Sequence, residues 1–273
     1  MADQTAAAGG EGIPADRIVF LGHATILIEV GGVRLLTDPL LRARVAHLRR
    51  HTAPVDLSVS ARPDAALISH LHHDHLDLAS LRLLGSDMPL LVPAGAGAWL
   101  RRRGFETVTE MRVGEVARVG AVAITAMEAR HDGRRYPGGP RADALGYLVE
   151  GRRKVYFAGD TELFDAMCRQ SSRLDVALLP VAGWGPKLGP GHMDPLDAAR
   201  AVRLLKPRVA IPVHWGTLLP IGTASRHRAR LADPPRLFAR HVAQLAPDVE
   251  VRVLAPGQAT TLAPVDRLPV DRL

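Results

Sequence analysis

The stretch 69–77 contains the side chains with the clearest chemistry. It reads Ser-His-Leu-His-His-Asp-His-Leu-Asp, so four histidines and two aspartates fall within nine residues, directly after the apolar run 65–68. Imidazole nitrogens and carboxylate oxygens are the ligands that zinc, manganese and non-haem iron prefer. The composition of this stretch therefore indicates a metal site.

The spacing of these donors predicts two metals. If a β-strand ends just before His70, then His70 and His72 point to the same side of the extended chain. A turn into a following helix brings Asp74 and His75 round to the same point, so that each pair serves one metal. The alternative is a polar run at a helix start with Asp77 as N-cap. A cap at Asp77 is compatible with the metals and does not explain four histidines.

The pattern His-x-His-x-Asp-His at the end of an apolar strand resembles the signature of the metallo-β-lactamase superfamily. Its defined positions are the four donors just named, and His73 occupies a variable position. The resemblance implies an α/β fold, a four-layer αββα sandwich of two mixed β-sheets with helices on the outer faces. It covers about residues 17–217 and defines a superfamily without defining a substrate.

Three residues further along complete the ligand set that the resemblance implies. His131 would be the third nitrogen ligand of the first metal, Asp160 would bridge both metals, and His214 would bind the second. Taken alone, a single histidine after a strand is more often not a ligand, and an aspartate at a strand end can cap a helix. An aspartate at the bridging position, where some relatives carry cysteine, favours oxygen-liking metals and a two-metal centre.

Two other segments resemble one subgroup, the ascorbate-6-phosphate lactonase-like and N-acyl-phosphatidylethanolamine phospholipase D-like proteins. They are Gly-His-Ala around His23, followed by Leu-Leu-Thr-Asp-Pro at 35–39, and His-Met-Asp-Pro from His192. The resemblance implies that His23 lies near the metal edge of the sheet and that His192 contacts substrate. The residues alone equally allow a backbone-bonded loop histidine at 23 and a packing histidine at 192. Asp38 also fits a simple turn.

The expected cofactors are two divalent cations, with Zn²⁺ favoured and Mn²⁺ or Fe²⁺ as alternatives. Such a pair would share a hydroxide, because metals lower the pKa of bound water from about 15.7 toward 7. One cation would also polarise the carbonyl or phosphoryl oxygen under attack. We therefore assign catalytic roles to Asp74, which can orient the hydroxide and accept a proton, and to His23 and His192.

Composition and charge narrow the function less than the motifs do. The chain has 273 residues, 47% of them hydrophobic, with a net charge of +7. This charge suits a small anionic substrate; nucleic acid is less favoured, because the arginines are spread along the chain without interleaved aromatics. Cys168 is the sole cysteine, which favours a reducing, cytoplasmic setting. No apolar run reaches the length of a transmembrane helix, and the N-terminus lacks the pattern of a secretory signal.

The elements that position the donors are expected to form a single hydrolase domain over 17–264. A disordered lead-in, 1–16, would precede it and a loose tail, 265–273, would follow. The segment 40–64 carries clustered arginines and histidines, and it fits a solvated basic loop, with a lid over the site as the alternative. Apolar spacing and turn residues predict further elements: helices at 78–84, 195–205 and 233–245, and hairpins over 145–157 and 249–262.

Three functions remain open at this stage. The first is a dinuclear metal-dependent hydrolase that uses a metal-bridging hydroxide to cleave a small ester, lactone or phosphodiester. The second is a nuclease-like phosphodiesterase acting on RNA or DNA, motivated by the charge. The third is a non-catalytic, metal-stabilised binding protein. The sequence does not distinguish a monomer from a homo-oligomer.

Overall fold

The computed structural model describes residues 15–60, 62–169, 173–183, 188–227 and 229–262. The predicted lead-in and tail lie outside the described residues, apart from Ala15 and Asp16. Asp16 is 4% exposed and accepts a hydrogen bond from the Gly31 backbone N–H at 2.8 Å. Packed structure is therefore already present at Asp16.

The described part of the chain forms seventeen strands, six α-helices and one 3₁₀ helix. The strands are β1 (Arg17–Gly22), β2 (Thr25–Val30), β3 (Val33–Thr37), β4 (Arg44–Val45), β5 (Leu48–Arg50), β6 (Ala65–Leu67), β7 (Leu90–Pro93), β8 (Val108–Met111), β9 (Val116–Val119), β10 (Val122–Glu128), β11 (Leu145–Glu150), β12 (Lys154–Phe157), β13 (Val176–Pro180), β14 (Val209–Val213), β15 (Leu218–Pro220), β16 (Glu250–Val251) and β17 (Ala259–Thr261). The helices are α1 (Leu57–Ser60), α2 (Leu78–Leu84), α3 (Gly97–Arg101), α4 (Pro195–Leu205), α5 (Ala224–His227) and α6 (Ala229–Leu245), with a 3₁₀ helix at Asp165–Arg169.

Two large mixed sheets form the centre of the molecule. Their strand orders are β17-β1-β2-β3-β6-β7-β8 and β16-β14-β13-β12-β11-β10-β9. Each sheet is antiparallel in one half and parallel in the other. The predicted hairpin over 145–157 is present as the antiparallel pair β11–β12.

The core lies between the two sheets and is continued on their outer faces. Alternate side chains of both sheets, such as Phe20, Ile28, Tyr147 and Phe157, are fully buried against one another. Their neighbours in the strands face outward and pack under helices, with α2 and α3 over one sheet and α4 and α6 over the other. This helix–sheet–sheet–helix order confirms the predicted four-layer αββα sandwich.

The end of the chain differs from the sequence prediction. The predicted hairpin over 249–262 is wrong, because β16 pairs parallel with β14 in one sheet and β17 pairs antiparallel with β1 in the other. The predicted helix at 233–245 begins four residues earlier, at Ala229, and includes Pro234 and Pro235. Burial of Phe238 and Val242 against α4 outweighs the cost of proline inside a helix, about 3 kcal/mol.

The segment 40–64 is only partly the solvated basic loop that its charge favoured, because most of its arginines and histidines are exposed but part of its backbone forms strands. Within it, β4 and β5 form a small sheet with β15. Arg50 is 7% exposed and donates to the carbonyl oxygens of Leu21 at 3.1 Å and Leu40 at 2.7 Å. Its guanidinium thus satisfies backbone acceptors and fixes the segment to the main sheet.

The strand directions bring the predicted metal ligands to one edge of the two sheets. β6, β12 and β14 run in the parallel halves of the sheets, and β10 runs in the same direction as β12 because both are antiparallel to β11. Ligands of such sheets bind beyond the carboxyl ends of the strands. None of the described helices is long and apolar enough to cross a membrane.

Candidate metal centre

The segment 69–77, here called the motif loop, connects β6 to α2. Its last residue, Asp77, caps α2 by accepting a hydrogen bond from the Ser80 N–H at 3.0 Å. The same carboxylate accepts two hydrogen bonds from Arg42, at 2.8 and 2.7 Å. The predicted N-cap is therefore present, and it leaves the histidines of the loop for other partners.

Three histidines, here called the first cluster, converge at one point. His70 Nε2 lies 3.0 Å from His72 Nδ1, and His131 Nε2 lies 3.1 Å from the same atom. His70 is fully buried, whereas His72 and His131 are partly exposed. His131 follows β10, so the cluster joins the two sheets.

The hydrogen bonds made by the Nδ1 atoms of His70 and His131 determine which ring nitrogens carry a proton and which present a lone pair. His131 Nδ1 lies 2.8 Å from the Gly191 carbonyl oxygen, which only accepts, so Nδ1 carries the proton and Nε2 presents a lone pair. Ser69 Oγ donates to Asp38 at 2.6 Å and therefore accepts from His70 Nδ1 at 2.9 Å. In the neutral rings, His70 and His131 both direct lone pairs toward His72.

A second cluster consists of Asp74, His75 and His214. The Nε2 atoms of His75 and His214 lie 3.2 Å apart, and Asp74 Oδ2 lies 3.7 Å from His75 Nε2. His75 Nδ1 donates to Asp38 Oδ2 at 2.7 Å, and His214 Nδ1 donates to the Ala182 carbonyl oxygen at 2.6 Å. The second cluster is buried, so these atoms face one another without solvent between them.

Asp160 lies between the two clusters, at the end of β12. Its Oδ2 is 3.3 Å from His75 Nε2 and 3.2 Å from His214 Nε2. A carboxylate oxygen of Asp160 also lies within 4.8 Å of a ring nitrogen of His70 and of a ring nitrogen of His131. Its Oδ1 is buried and has no hydrogen-bond partner. A buried carboxylate oxygen without a partner is costly, and a cation relieves that cost.

The donor set fits metal ions by its chemistry. Within each cluster, neighbouring donor atoms lie 3.0–3.7 Å apart. The ring nitrogens of the histidines that point away from the cluster centre are hydrogen-bonded to carbonyl, hydroxyl or carboxylate groups. Outer partners of this kind fix the tautomer of ligating histidines. The lone pairs of the donors within a cluster repel one another, and a cation bound among them would attract them all.

The electrostatics of the two clusters differ in direction. In the first cluster, burial lowers the pKa of His70 and His72, and it lowers the pKa of His131 to about 4. In the second, burial alone would lower the pKa of His75 and His214, but the Asp160 carboxylate beside them raises both. Protonation is therefore disfavoured in the first cluster and favoured in the second, where the neighbouring carboxylates of Asp74 and Asp160 balance the charge of the rings.

His23 lies beside the second cluster, and its donor nitrogen lies within 4.8 Å of the donor atoms of Asp74, His75 and His214. It is 2% exposed, and its Nε2 is 3.0 Å from Asp74 Oδ2. Burial and the neighbouring His214 lower the pKa of His23 to about 3, so the neutral ring donates to the carboxylate. Its backbone N–H donates to Thr217 Oγ1 at 2.7 Å, and its carbonyl accepts from the His214 N–H at 2.8 Å.

His192 lies on the solvent side of the clusters. Its side chain is 22% exposed, and its ring centroid is 4.6 Å from that of His131. Nδ1 donates to the carbonyl oxygens of Gly189 and Pro190, both at 3.1 Å, and Nε2 lies 3.6 Å from Asp160 Oδ2. The structure thus brings together every predicted site residue, with His192 as the one most open to an incoming molecule.

Asp38 has a larger part in the site than its sequence context indicated. Fully buried, it accepts hydrogen bonds from the Ser69 N–H at 2.7 Å and from the His75 ring. Burial raises the pKa of its carboxyl group. His23, Asp38 and His214 all adopt positive φ angles, of 58°, 35° and 61°. Such backbone strain in residues other than glycine is concentrated at functional sites.

Comparison with known proteins agrees with this geometry. The Beta-lactamase superfamily domain matches residues 33–215. A metal-dependent hydrolase of Methanopyrus kandleri is 34% identical over 89% of this chain and 98% of its own length. The N-acyl-phosphatidylethanolamine-hydrolyzing phospholipase D 1 of Caenorhabditis elegans is 30% identical over 75% of this chain and 64% of its own. The structure of a metallo hydrolase from Ignicoccus hospitalis superposes with a TM-score of 0.71 at 26% identity, covering 92% of this chain and 99% of that one.

Proposed function

This chain belongs to the metallo-β-lactamase superfamily and is a metal-dependent hydrolase, and we propose that it binds two divalent cations to cleave a small ester, lactone or phosphodiester. The first cation would be held by His70, His72 and His131. The second would be held by Asp74, His75 and His214, with Asp160 bridging the two. Nitrogen-rich donor sets favour Zn²⁺, and Mn²⁺ and Fe²⁺ are the alternatives.

The observation that carries this proposal is the position of Asp160. One oxygen faces His75 and His214 at 3.3 and 3.2 Å, while the other is buried without any hydrogen-bond partner. The carboxylate also groups within 4.8 Å with the donor atoms of His70 and His131, so it lies within reach of both clusters. A carboxylate in this position would serve two neighbouring cations, and its unpaired buried oxygen favours a positive charge beside it.

When bound, the cations would supply an acidified water and an electrophilic contact for the oxygen under attack. Asp74 would orient that water and accept a proton from it, because one of its oxygens faces the second cluster. His23 would hold the Asp74 carboxylate by donating from Nε2 at 3.0 Å. At 2% exposure, we infer that His23 acts through Asp74 and does not touch the substrate.

His192 would contact the substrate. Because its Nδ1 donates to two carbonyl oxygens, its Nε2 presents a lone pair toward the clusters in the neutral ring. That atom can accept a hydrogen bond from the substrate, while Asp74 passes the proton that it takes from the attacking water to the oxygen of the leaving group. The proton balance then closes within the site, without a serine or cysteine nucleophile.

The substrate class is proposed from two independent features. The C. elegans relative, as its name states, hydrolyses an N-acyl-phosphatidylethanolamine, which supports a phosphodiester. The net charge of +7 supports an anionic substrate.

Cys168, as the single cysteine, supports a cytoplasmic location.

The test is a hydrolysis panel with protein loaded with Zn²⁺ or Mn²⁺. Bis(p-nitrophenyl) phosphate, simple lactones and aryl esters cover the proposed bond types. We expect turnover of at least one class, and we expect His72→Ala to abolish it. His51→Ala is the matched control, because His51 is exposed and outside both clusters. Silence of the metal-loaded protein on the whole panel would favour the binding-protein function, and salt-dependent retention of single-stranded RNA would favour the nuclease function.

A further inference from the structure

Arg135 is a buried arginine whose role neither the motif nor the metal clusters explain. It is 8% exposed, whereas its neighbour Arg134 is exposed. Its Nη1 donates to the carbonyl oxygens of Leu71 at 2.8 Å and Leu76 at 2.9 Å. Both acceptors belong to the motif loop, so one nitrogen spans the loop from its start to its end.

A second arm of the same guanidinium reaches the variable position of the motif. Nη2 donates to His73 Nδ1 at 3.1 Å. The guanidinium also lies over the Trp99 ring, 4.9 Å from its centroid, and Arg103 covers the same ring at 3.8 Å. Trp99 is 8% exposed and belongs to α3. Stacking on an aromatic face favours arginine over lysine here, because the guanidinium is planar.

The backbone that carries Arg135 starts at a metal donor. The segment 131–142 begins with His131 and closes on itself, since the Arg135 N–H donates to the Pro140 carbonyl oxygen at 3.0 Å. A Cβ on Gly133 would lie 1.7 Å from the Ala142 carbonyl oxygen, so only glycine fits this closed shape. Arg135 therefore stands on a hydrogen-bonded segment of restricted backbone shape that starts at His131.

We propose that Arg135 is a positioning residue that ties the motif loop to the segment 131–142 and thereby sets the donor spacing of the first cluster. The first cluster takes His70 and His72 from the motif loop and His131 from the other segment. Arg135 is the side chain that donates across that junction. This inference rests on the proposed function, because it assumes that the first cluster binds a cation.

The location of Arg135 argues against a role in binding a substrate anion. Its Nη1 and Nη2 donate to acceptors of the protein, and its side chain is buried against Trp99. At 8% exposure, little of the side chain is open to a substrate anion. A positioning role uses the same contacts as they stand.

The experiment measures Zn²⁺ binding rather than turnover. In a His214→Ala background, which removes one donor of the second cluster and keeps the three histidines of the first, metal-free protein is titrated with Zn²⁺ against a chromophoric chelator. We expect Arg135→Gln to weaken the retained site about 10- to 100-fold, the usual effect of losing an outer partner of a metal ligand. Arg135→Lys should lower the Zn²⁺ affinity less, because lysine keeps the positive charge, although it loses the paired donor nitrogens of the guanidinium. Arg134→Gln, a change on the same segment, should leave the affinity unchanged.

The outcomes separate this inference from the proposed function. If the His214→Ala protein with Arg135 intact binds no Zn²⁺, the proposed metal centre fails first and takes this inference with it. If it binds Zn²⁺ and both Arg135 variants bind equally well, the positioning role is overturned. A purely structural role would lower the melting temperature of the metal-free variants without changing Zn²⁺ affinity, and that result would also overturn the inference. If Arg135→Gln does not fold, Arg135→Lys decides between these outcomes.

Discussion

The Nε2 atoms of His75 and His214 lie 3.2 Å apart, and the Nδ1 atom of each ring donates to an oxygen acceptor. Two neutral rings in this arrangement direct lone pairs at each other, and two protonated rings direct charges at each other. A cation between them removes both conflicts. A single shared proton or a cation can join the two nitrogens, and a bound cation would add its binding free energy to the stability of the folded state.

Metal removal should therefore destabilise the protein. A ligand present at a thousandfold excess over its Kd stabilises the folded state by about 4 kcal/mol. For a domain of this size, we expect chelation to lower the melting temperature by roughly 10 °C for each site that empties. Calorimetry before and after dialysis against a chelator measures the shift, and added Zn²⁺ should restore it. An unchanged melting temperature would contradict metal binding at this contact.

Asp160→Asn tests the bridge. The substitution keeps the shape of the side chain and removes the negative charge that faces both clusters. We expect the bound metal to fall from two equivalents toward one, with a loss of activity larger than the 10- to 100-fold typical of outer partners. Metal analysis by mass spectrometry gives the stoichiometry. Asp132→Asn serves as control, because Asp132 is an exposed neighbour of the first cluster. Two retained equivalents in Asp160→Asn would rule out bridging.

The resemblance of the motif to a known family predicted the fold and the grouping of donors, and the strand directions give the physical reason for that grouping. The motif loop, Asp160 and His214 each follow an apolar strand, and strands of one direction deliver their carboxyl ends to one edge. Local spacing could not predict which sheet each short strand would join. The segment 249–262 fits a hairpin by spacing, yet its strands β16 and β17 join the edges of different sheets.

Asp38 illustrates the limit for the site itself. An aspartate before a proline at a strand end fits a turn, and nothing nearby in the sequence indicates another partner. Its partners are Ser69 and His75, which lie 31 and 37 residues further along the chain. Contacts of that separation depend on the closed fold, so outer partners of a metal site are harder to predict than the ligands.

Asp38→Asn should weaken metal binding at the second cluster. The amide can present its NH₂ group to His75 Nδ1, which would favour the wrong tautomer of that ring. We expect a 10- to 100-fold loss of Zn²⁺ affinity at one of the two sites. Competition with a chromophoric chelator measures it, and the exposed Asp87→Asn is the control. Equal affinities in the two variants would show that Asp38 does not orient a ligand.

Acidification should empty the two sites in a fixed order. Burial lowers the pKa of His70 and His72 and brings that of His131 to about 4, so protons compete less for the first cluster than for the second. In the second cluster, burial is outweighed by Asp160, which raises the pKa of His75 and His214 above the ordinary value near 6.5.

Protons therefore compete with a cation for the second cluster at a higher pH than for the first, and the affinity there falls about tenfold per pH unit for each proton displaced. We expect the second site to empty first as the pH falls from 7 to 5, with the first site losing its metal only nearer pH 4. Equilibrium dialysis over this range, with His214→Ala to report the first site alone, measures the order. Simultaneous loss of both metals, or earlier loss from the His214→Ala protein, would show that protons do not compete at His75 and His214 in this way.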